Sequence, residues 1–414
     1  MLEDFKPIIK NKSFIYLWIS QITSQLTINV MNFVFLIRLY EQTGSAISIS
    51  FLWVAYSLPA ILIGPFASAT VDLVNRKKML VITNLLQSLT VLICGLTHNG
   101  NVFILFETVF VYSLLNQFYV PAESASLPSV VKEKGLNQAN SLFLLTLQGS
   151  LILGFGIAGP IYGALGFEKT LYLCAFLLFC AFLSTLFLPS LATGNTVPKN
   201  FEKAVTGFFE KIIEGYKFIK GERRVLIPFF LLIGFQVSFQ VGIVAIPSIA
   251  RDLMHLPLKS AGLTILVPAG IGAIVAILTL PKLLASSWRR KKVIDNALII
   301  LGSFLFLLTF IIPLLPYTWR IVLTFISLFA MGMAFVGITI PSQTFLQEST
   351  PKELRGRVFG NFWFLVTVAS VIPVIFSGSI IEALGVRILL LVLSVFCMAA
   401  FFVSRRFGDK FMNG

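Results

Sequence analysis

Charge is what this 414-residue chain has least of. Asp, Glu, Lys and Arg supply 12% of its residues, apolar types supply 57%, and mean hydropathy is +0.91. A soluble domain carries roughly 25% charged residues, so this chain lacks the polar surface to be a water-soluble globule. Histidine and cysteine are also scarce, with two and four residues. Cys94, Cys174, Cys180 and Cys397 all fall inside apolar stretches, where they form no extracellular disulfide framework and no metal-ligand spacing. They read as packing residues, and no metal is expected. His98 and His255 lie between apolar stretches with no nucleophile or acid arranged around them. No phosphate-binding glycine loop and no hydrolytic constellation is present, so the chain is not expected to be an enzyme or to hold a cofactor.

What is present in abundance is long apolar runs. A helix needs about 20 apolar residues to cross the hydrocarbon core. Twelve stretches satisfy this: 14–40, 46–70, 79–97, 102–122, 138–163, 169–190, 225–250, 259–284, 293–313, 318–345, 356–382 and 386–404. A lipid-exposed backbone must satisfy its own hydrogen bonds, and the runs are too continuous for alternating barrel strands. The expected class is an all-α membrane protein. The first run is a full-length span without a small-residue cleavage site behind it, so it reads as a permanent helix.

Positive charge sets the orientation. All but six of the 32 Lys and Arg fall on the amino-terminal side of the membrane: before the first span, around or after the ends of even-numbered spans, or in the tail. The six are Arg38, Lys169, Arg251, Lys259, Arg320 and Arg387. The positive-inside rule therefore expects both termini in the cytoplasm. A pI near 9.7 would suggest nucleic acid in a soluble domain, but here topology and anionic inner-leaflet lipid account for it.

The longest polar stretch divides the chain into a six-helix bundle at 1–192, a linker at 193–224 and a second six-helix bundle at 225–414. In the linker, Val205, Phe208, Ile212, Tyr216 and Ile219 recur at helical spacing, as in an amphipathic helix on the inner membrane surface; a solvated linker is the alternative. The halves echo each other. Gln21 and Gln25 in the first span match Gln236 and Gln240 in the seventh, and the clusters Arg76-Lys77-Lys78 and Arg289-Arg290-Lys291-Lys292 follow spans two and eight. Pro121 and Glu133 correspond to Pro341 and Glu353. Duplicated six-span units place a substrate path near the midplane.

These residues carry a family resemblance. Gly64 to Lys78, with Asp72 and the cluster at Arg76, resembles the loop motif between helices two and three of the Major Facilitator Superfamily. Pro121 to Asn140 and Gln347 to Val358 resemble the branch of macrolide-efflux proteins and the enterobactin exporter. The resemblance covers essentially the whole chain and implies two pseudo-symmetric six-helix bundles in a bacterial cytoplasmic membrane, acting as a monomer. It departs at Ser68, where the motif has glycine, at Leu73, where a basic residue is usual, and at Ser286 and Ser287, in place of an acid. The fourth-helix arginine of proton-coupled members is absent.

Gln21, Gln25, Asn29 and Asn32 are spaced four, four and three, on one face of the first helix, where lipid would leave their amides unpaired. Together with Asn116, Gln117, Gln148, Gln236, Gln240, Gln343 and Asn361 they are candidates to line a substrate path; interhelical hydrogen bonding is the other use of such amides. The resemblance gives Asp72 the role of a cytoplasmic latch, with Arg76, Arg355 and Arg357 as cationic partners, against a plain surface ion pair with Arg76. Glu107 is the one acid well inside a span, and with Arg38 near the outer end of the first helix it is the candidate for proton coupling. Both also suit ordinary roles at helix ends. Asp295, Glu123, Glu348 and Glu382 sit at span ends. Gly154, Gly159, Pro160 and Gly163 resemble the antiporter motif of the fifth helix and would allow close packing or a bend.

The resulting expectation is a secondary transporter that exports a small amphipathic or hydrophobic compound by alternating access in exchange for protons, with substrate, protons and membrane lipid as partners and no nucleic acid. An importer or lysophospholipid carrier on the same scaffold, and a non-transporting membrane partner or sensor, are the alternatives.

Overall fold

The computed structural model describes residues 2–132, 135–191, 201–285, 290–351 and 354–412. The described residues are helical nearly throughout: α1 Leu2–Ile9, α2 Lys12–Thr43, α3 Ala46–Leu73, α4 Arg76–Thr97, α5 Val102–Val130, α6 Leu136–Leu165, α7 Phe167–Leu186, α8 Phe201–Gly221, α9 Arg223–Val244, α10 Ile246–Ser248, α11 Val267–Ala285, α12 Arg290–Phe306, α13 Tyr317–Glu348, α14 Arg355–Leu384 and α15 Val386–Met412. Among them, eleven helices are long and apolar enough to cross a membrane. A bent pair, Pro228–Val244 with Ile246–Leu253, makes a twelfth if counted as one span.

That bent pair occupies the seventh span read from the sequence, 225–250. The two segments meet at 50°, because Pro247 has no N–H to give the preceding turn and its ring displaces the carbonyl four residues back. Elsewhere the ends are set by local caps. Asn75 Oδ1 accepts from Lys78 N at 3.2 Å to start α4, and Asn101 Oδ1 accepts from Phe103 N at 3.0 Å to start α5. Two of the single-residue connections among the described residues are glycine turns. Gly166 joins α6 to α7 with φ +80°, and Gly385 joins α14 to α15 with φ +84°. Only glycine adopts that region without strain, and the two turns occupy equivalent places in the two halves of the chain.

The chain forms two compact units, one of Met1–Gln42 with Leu52–Glu210 and one of Thr43–Phe51 with Lys211–Gly414. The first turn of α3 thus belongs to the second unit. There the Glu382 carboxylate accepts from Ser45 Oγ and, at 3.1 Å, from Ile47 N, satisfying one of the free N–H groups at the start of α3. The core of the first unit gathers Phe14, Leu17, Leu80, Leu127 and Leu142. That of the second gathers Ile219, Phe229, Leu346, Val358 and Phe362, with the Phe229 and Phe362 rings 5.8 Å apart and edge to face. In the second unit α11 and α13 approach backbone to backbone. A Cβ on Gly272 would stand 2.0 Å from Phe329 O, and one on Gly332 1.9 Å from Ala269 O. Small residues at a crossing allow this in membranes.

The exterior is apolar. Phe103, Leu153, Leu278 and Phe376 are each 60% exposed or more. Leaving such a side chain in water forgoes roughly 1.5–3 kcal/mol, so the lateral surface is matched to lipid.

Candidate functional site

The first unit holds most of the polar side chains singled out above. On α2, Gln21 is buried, gives Nε2 to Phe143 O of α6 at 3.5 Å, and leaves Oε1 without a partner. Beside it, Trp18 Nε1 donates to Thr146 Oγ1 at 2.7 Å. Asn29, also buried, bonds Gln25 O at 2.7 Å, and a Cβ on Gly154 would lie 2.6 Å from its own Cβ. The amide face therefore divides: Gln21 and Asn29 pack on α6, whereas Gln25 and Asn32 are half-buried. Gly154 supplies the close approach; Gly159 is buried, and Pro160 and Gly163 are exposed on α6.

On α5, the Asn116 side chain bonds the Tyr56 hydroxyl of α3, and Gln117 Nε2 returns to Ser113 O at 3.2 Å. Ser113 Oγ reaches Tyr56 O at 2.5 Å, so α3 and α5 are held by polar contacts. Gln148 is exposed. In the second unit Gln236 is buried on α9, with Gln240 one turn on half-buried, and Gln343 half-buried on α13. Asn361 is buried where α14 meets α8; its Nδ2 lies 2.5 Å from where a Cβ on Gly215 would stand.

Glu107 and Arg38 are not joined. Glu107 is exposed. Arg38 stacks its guanidinium 5.2 Å over the Phe167 ring and hydrogen-bonds Tyr162, whose hydroxyl donates to Glu41 Oε2 at 2.5 Å. Glu41 stands one turn from Arg38 on the same helix, within the i,i+3 reach of side-chain pairs; a reading of isolated acids inside spans passes over it. His98 closes this cluster, 1% exposed and 4.8 Å from Phe167. Burial lowers its pKa, and the Arg38 charge lowers it further.

Of the latch residues, the Asp72 side chain lies outside the described residues, as do Glu133, Ser286, Ser287, Arg289 and Glu353. Arg76 Nη1 donates to Ala125 O at 2.9 Å and Ser129 Oγ at 3.4 Å. Arg355 Nε bonds Thr350 O at 3.2 Å, and Arg357 pairs with Glu214 of α8. Among the described residues no cluster of His, Cys, Asp or Glu could hold a metal ion.

The sequence profile of the Major Facilitator Superfamily matches residues 17–373. The chain belongs to that superfamily. It is a membrane transporter of the superfamily's many-helix fold. It is 26% identical over 400 residues to the MFS-type transporter YfiS of Bacillus subtilis, covering 94% of this chain and 91% of that one. It is 24% identical over 367 residues to the multidrug efflux pump Tap of Mycolicibacterium fortuitum, covering 86% of each. Among solved structures it is similar to the nucleoside transporter NupG, with a TM-score of 0.76 at 15% identity over 95% of this chain and 98% of that one. It is also similar to the human organic anion transporter MFSD10, with a TM-score of 0.63 at 13% identity over the same shares. At those identities the likeness speaks for the fold.

Proposed function

We propose that this transporter exports a small amphipathic or hydrophobic compound from the cytoplasm in exchange for protons, by alternating access, with both termini on the cytoplasmic side of a bacterial inner membrane. The observation that carries the reading is the character of the interior polar groups. Amides such as Gln25, Asn32, Asn116 and Gln240 are held partly buried among apolar walls; they match a weakly charged lipophile better than a sugar phosphate or a dicarboxylate, which would call for buried cations. The similarity to a multidrug efflux pump along most of the chain supports the direction. The basic residues flanking even-numbered spans support the orientation.

The test is expression in a bacterium stripped of its own multidrug pumps, with ethidium as probe. Lower ethidium accumulation and raised resistance are expected, both lost on substituting Gln25 and Asn32 by Leu. Raised ethidium accumulation would overturn the export direction. Purified protein in liposomes should then move ethidium faster under an imposed pH gradient, and indifference to that gradient would overturn proton exchange.

A further inference from the structure

The first unit encloses a carboxyl group that the proposed path does not use. Glu123 is 4% exposed, near the end of α5 that precedes the basic residues Lys132 and Lys134. Its Oε1 accepts from Tyr119 Oη at 2.6 Å. Tyr119 Oη lies 3.1 Å from Ser20 Oγ of α2, Asn84 Nδ2 of α4 donates to Ser20 Oγ at 3.1 Å, and Ser24 Oγ donates to Asn84 Oδ1 at 3.2 Å. No member of this chain is more than 4% exposed.

The direction of these bonds follows from proton counting. Tyr119 has one hydroxyl proton and gives it to Glu123, so the Ser20 hydroxyl must be the donor between Ser20 and Tyr119. Every hydrogen in the chain then points towards the Glu123 carboxylate, running from Ser24 through Asn84, Ser20 and Tyr119. When the carboxylate takes up a proton it gains a hydrogen to donate, and the Tyr119 hydroxyl can turn to give its own to Ser20 Oγ, which then accepts from both Tyr119 and Asn84 and must release its hydrogen to another acceptor. The junction of α5, α2 and α4 is thereby sensitive to whether Glu123 carries a proton.

The same seam continues one turn further. Thr27 stands three residues past Ser24 and Gln87 three past Asn84. Both are 0% exposed, and Thr27 Oγ1, Gln87 Nε2 and Gln87 Oε1 have no protein partner. These unpartnered atoms stand at the Ser24–Asn84 end of the chain, the end away from the carboxyl. Among the described residues no cation pairs with Glu123. The charged residues on the helices around it are Glu3, Asp4 and Lys6 on α1, Lys12, Arg38 and Glu41 on α2, Asp72 on α3, and Arg76, Lys77 and Lys78 in the first turn of α4, with none on α6; its own helix adds Glu107. Arg76 spends Nη1 on Ala125 and Ser129. An intramembrane acid without a partner cation is costly to keep unless it is used.

We propose that Glu123 is the proton-binding group of the first unit and that Tyr119 passes its protonation state to the α2–α4–α5 junction. The inference rests on the proton-exchange reading above, and the test separates the two. Purified full-length protein in liposomes is assayed for ethidium transport with and without an imposed pH gradient. Wild type should be stimulated by the gradient. Glu123→Gln, which can still accept from Tyr119, should lose that stimulation while retaining gradient-free ethidium exchange. If wild type is stimulated and Glu123→Gln equally so, Glu123 is not the group; if wild type is indifferent, proton exchange itself fails and the proposal with it. A second readout needs no substrate. The pH-difference infrared spectrum of the purified protein should show the C=O stretch of a protonated carboxylic acid that is absent in Glu123→Gln and shifted in Tyr119→Phe, whose hydrogen bond is gone. A purely structural network would leave no such titrating band, and a spectrum unaltered by Tyr119→Phe overturns the proposal even if Glu123→Gln does not assemble.

Discussion

In the first unit α2, α4 and α5 meet through side-chain hydrogen bonds among Ser20, Ser24, Asn84, Tyr119 and Glu123, whereas in the second α11 and α13 meet through bare backbone at Gly272 and Gly332. The equivalent helix counts of the two halves conceal different kinds of cohesion. A polar junction changes when a proton or a partner is exchanged, because a group left unsatisfied inside costs far more than the bond contributes. A glycine crossing does not respond to pH; it offers only steric fit. Of these two junctions, the first holds titratable chemistry in its interior and the second holds rigid contact.

The sharpest way to break this comparison is to add one methyl group to the second unit. Gly332→Ala would put its Cβ against Ala269 O, which no rotamer change relieves, so a loss at or above the ~3 kcal/mol upper end of overpacking costs is expected. Thermal unfolding of the purified protein, compared with Gly149→Ala, whose added Cβ meets nothing, measures it. Next comes the polar junction. Asn84→Leu removes the residue that bridges Ser20 and Ser24, and a loss of about 1–3 kcal/mol is expected from the hydroxyls it strands. A neutral outcome in the same unfolding assay would mean that the first unit is held by its apolar core.

A smaller effect is expected at His98. Its folded pKa lies below the ordinary value near 6.5, so the folded state favours the neutral ring. As pH falls through that ordinary value the unfolded chain takes up the proton first, and stability is lost progressively towards lower pH. Thermal midpoints should therefore drop on acidification, and the drop should shrink in His98→Phe. The smallest effect belongs to Arg357→Ala. Its pairing with Glu214 leaves both side chains about a third exposed or more, and an ion pair so solvated contributes about 0–1 kcal/mol. A larger loss on unfolding would show that α8 depends on that contact.

The all-α class and the family were legible in the sequence, because a long apolar run allows little besides a helix in lipid and the basic clusters mark its ends. The bend of α9 was less so; Pro247 was visible, but only packing decides whether a proline inside a span bends it. The interior network was hidden for a different reason. A hydroxyl in an apolar helix usually satisfies itself on the carbonyl four residues back, as Thr70 does with Phe66 O at 2.8 Å and Thr90 with Leu86 O at 2.8 Å. Nothing in the local sequence distinguishes those from Ser20 and Ser24, which reach across to α4 and α5. Glu123 looked like a span-end acid because Val102–Val130 runs further as a helix than its apolar stretch does.

The single-residue turns at Gly166 and Gly385 have a mechanical consequence. With one residue between them, α6 and α7 have no slack to slide past each other, and neither have α14 and α15; each pair is a stiff hairpin that can only tilt as a body. Whatever rearrangement accompanies a transport cycle has to be absorbed elsewhere, in connections such as residues 98–101 and 254–261 or within the bend near Ala245. The two glycines thus divide the molecule into parts that carry motion and parts that make it.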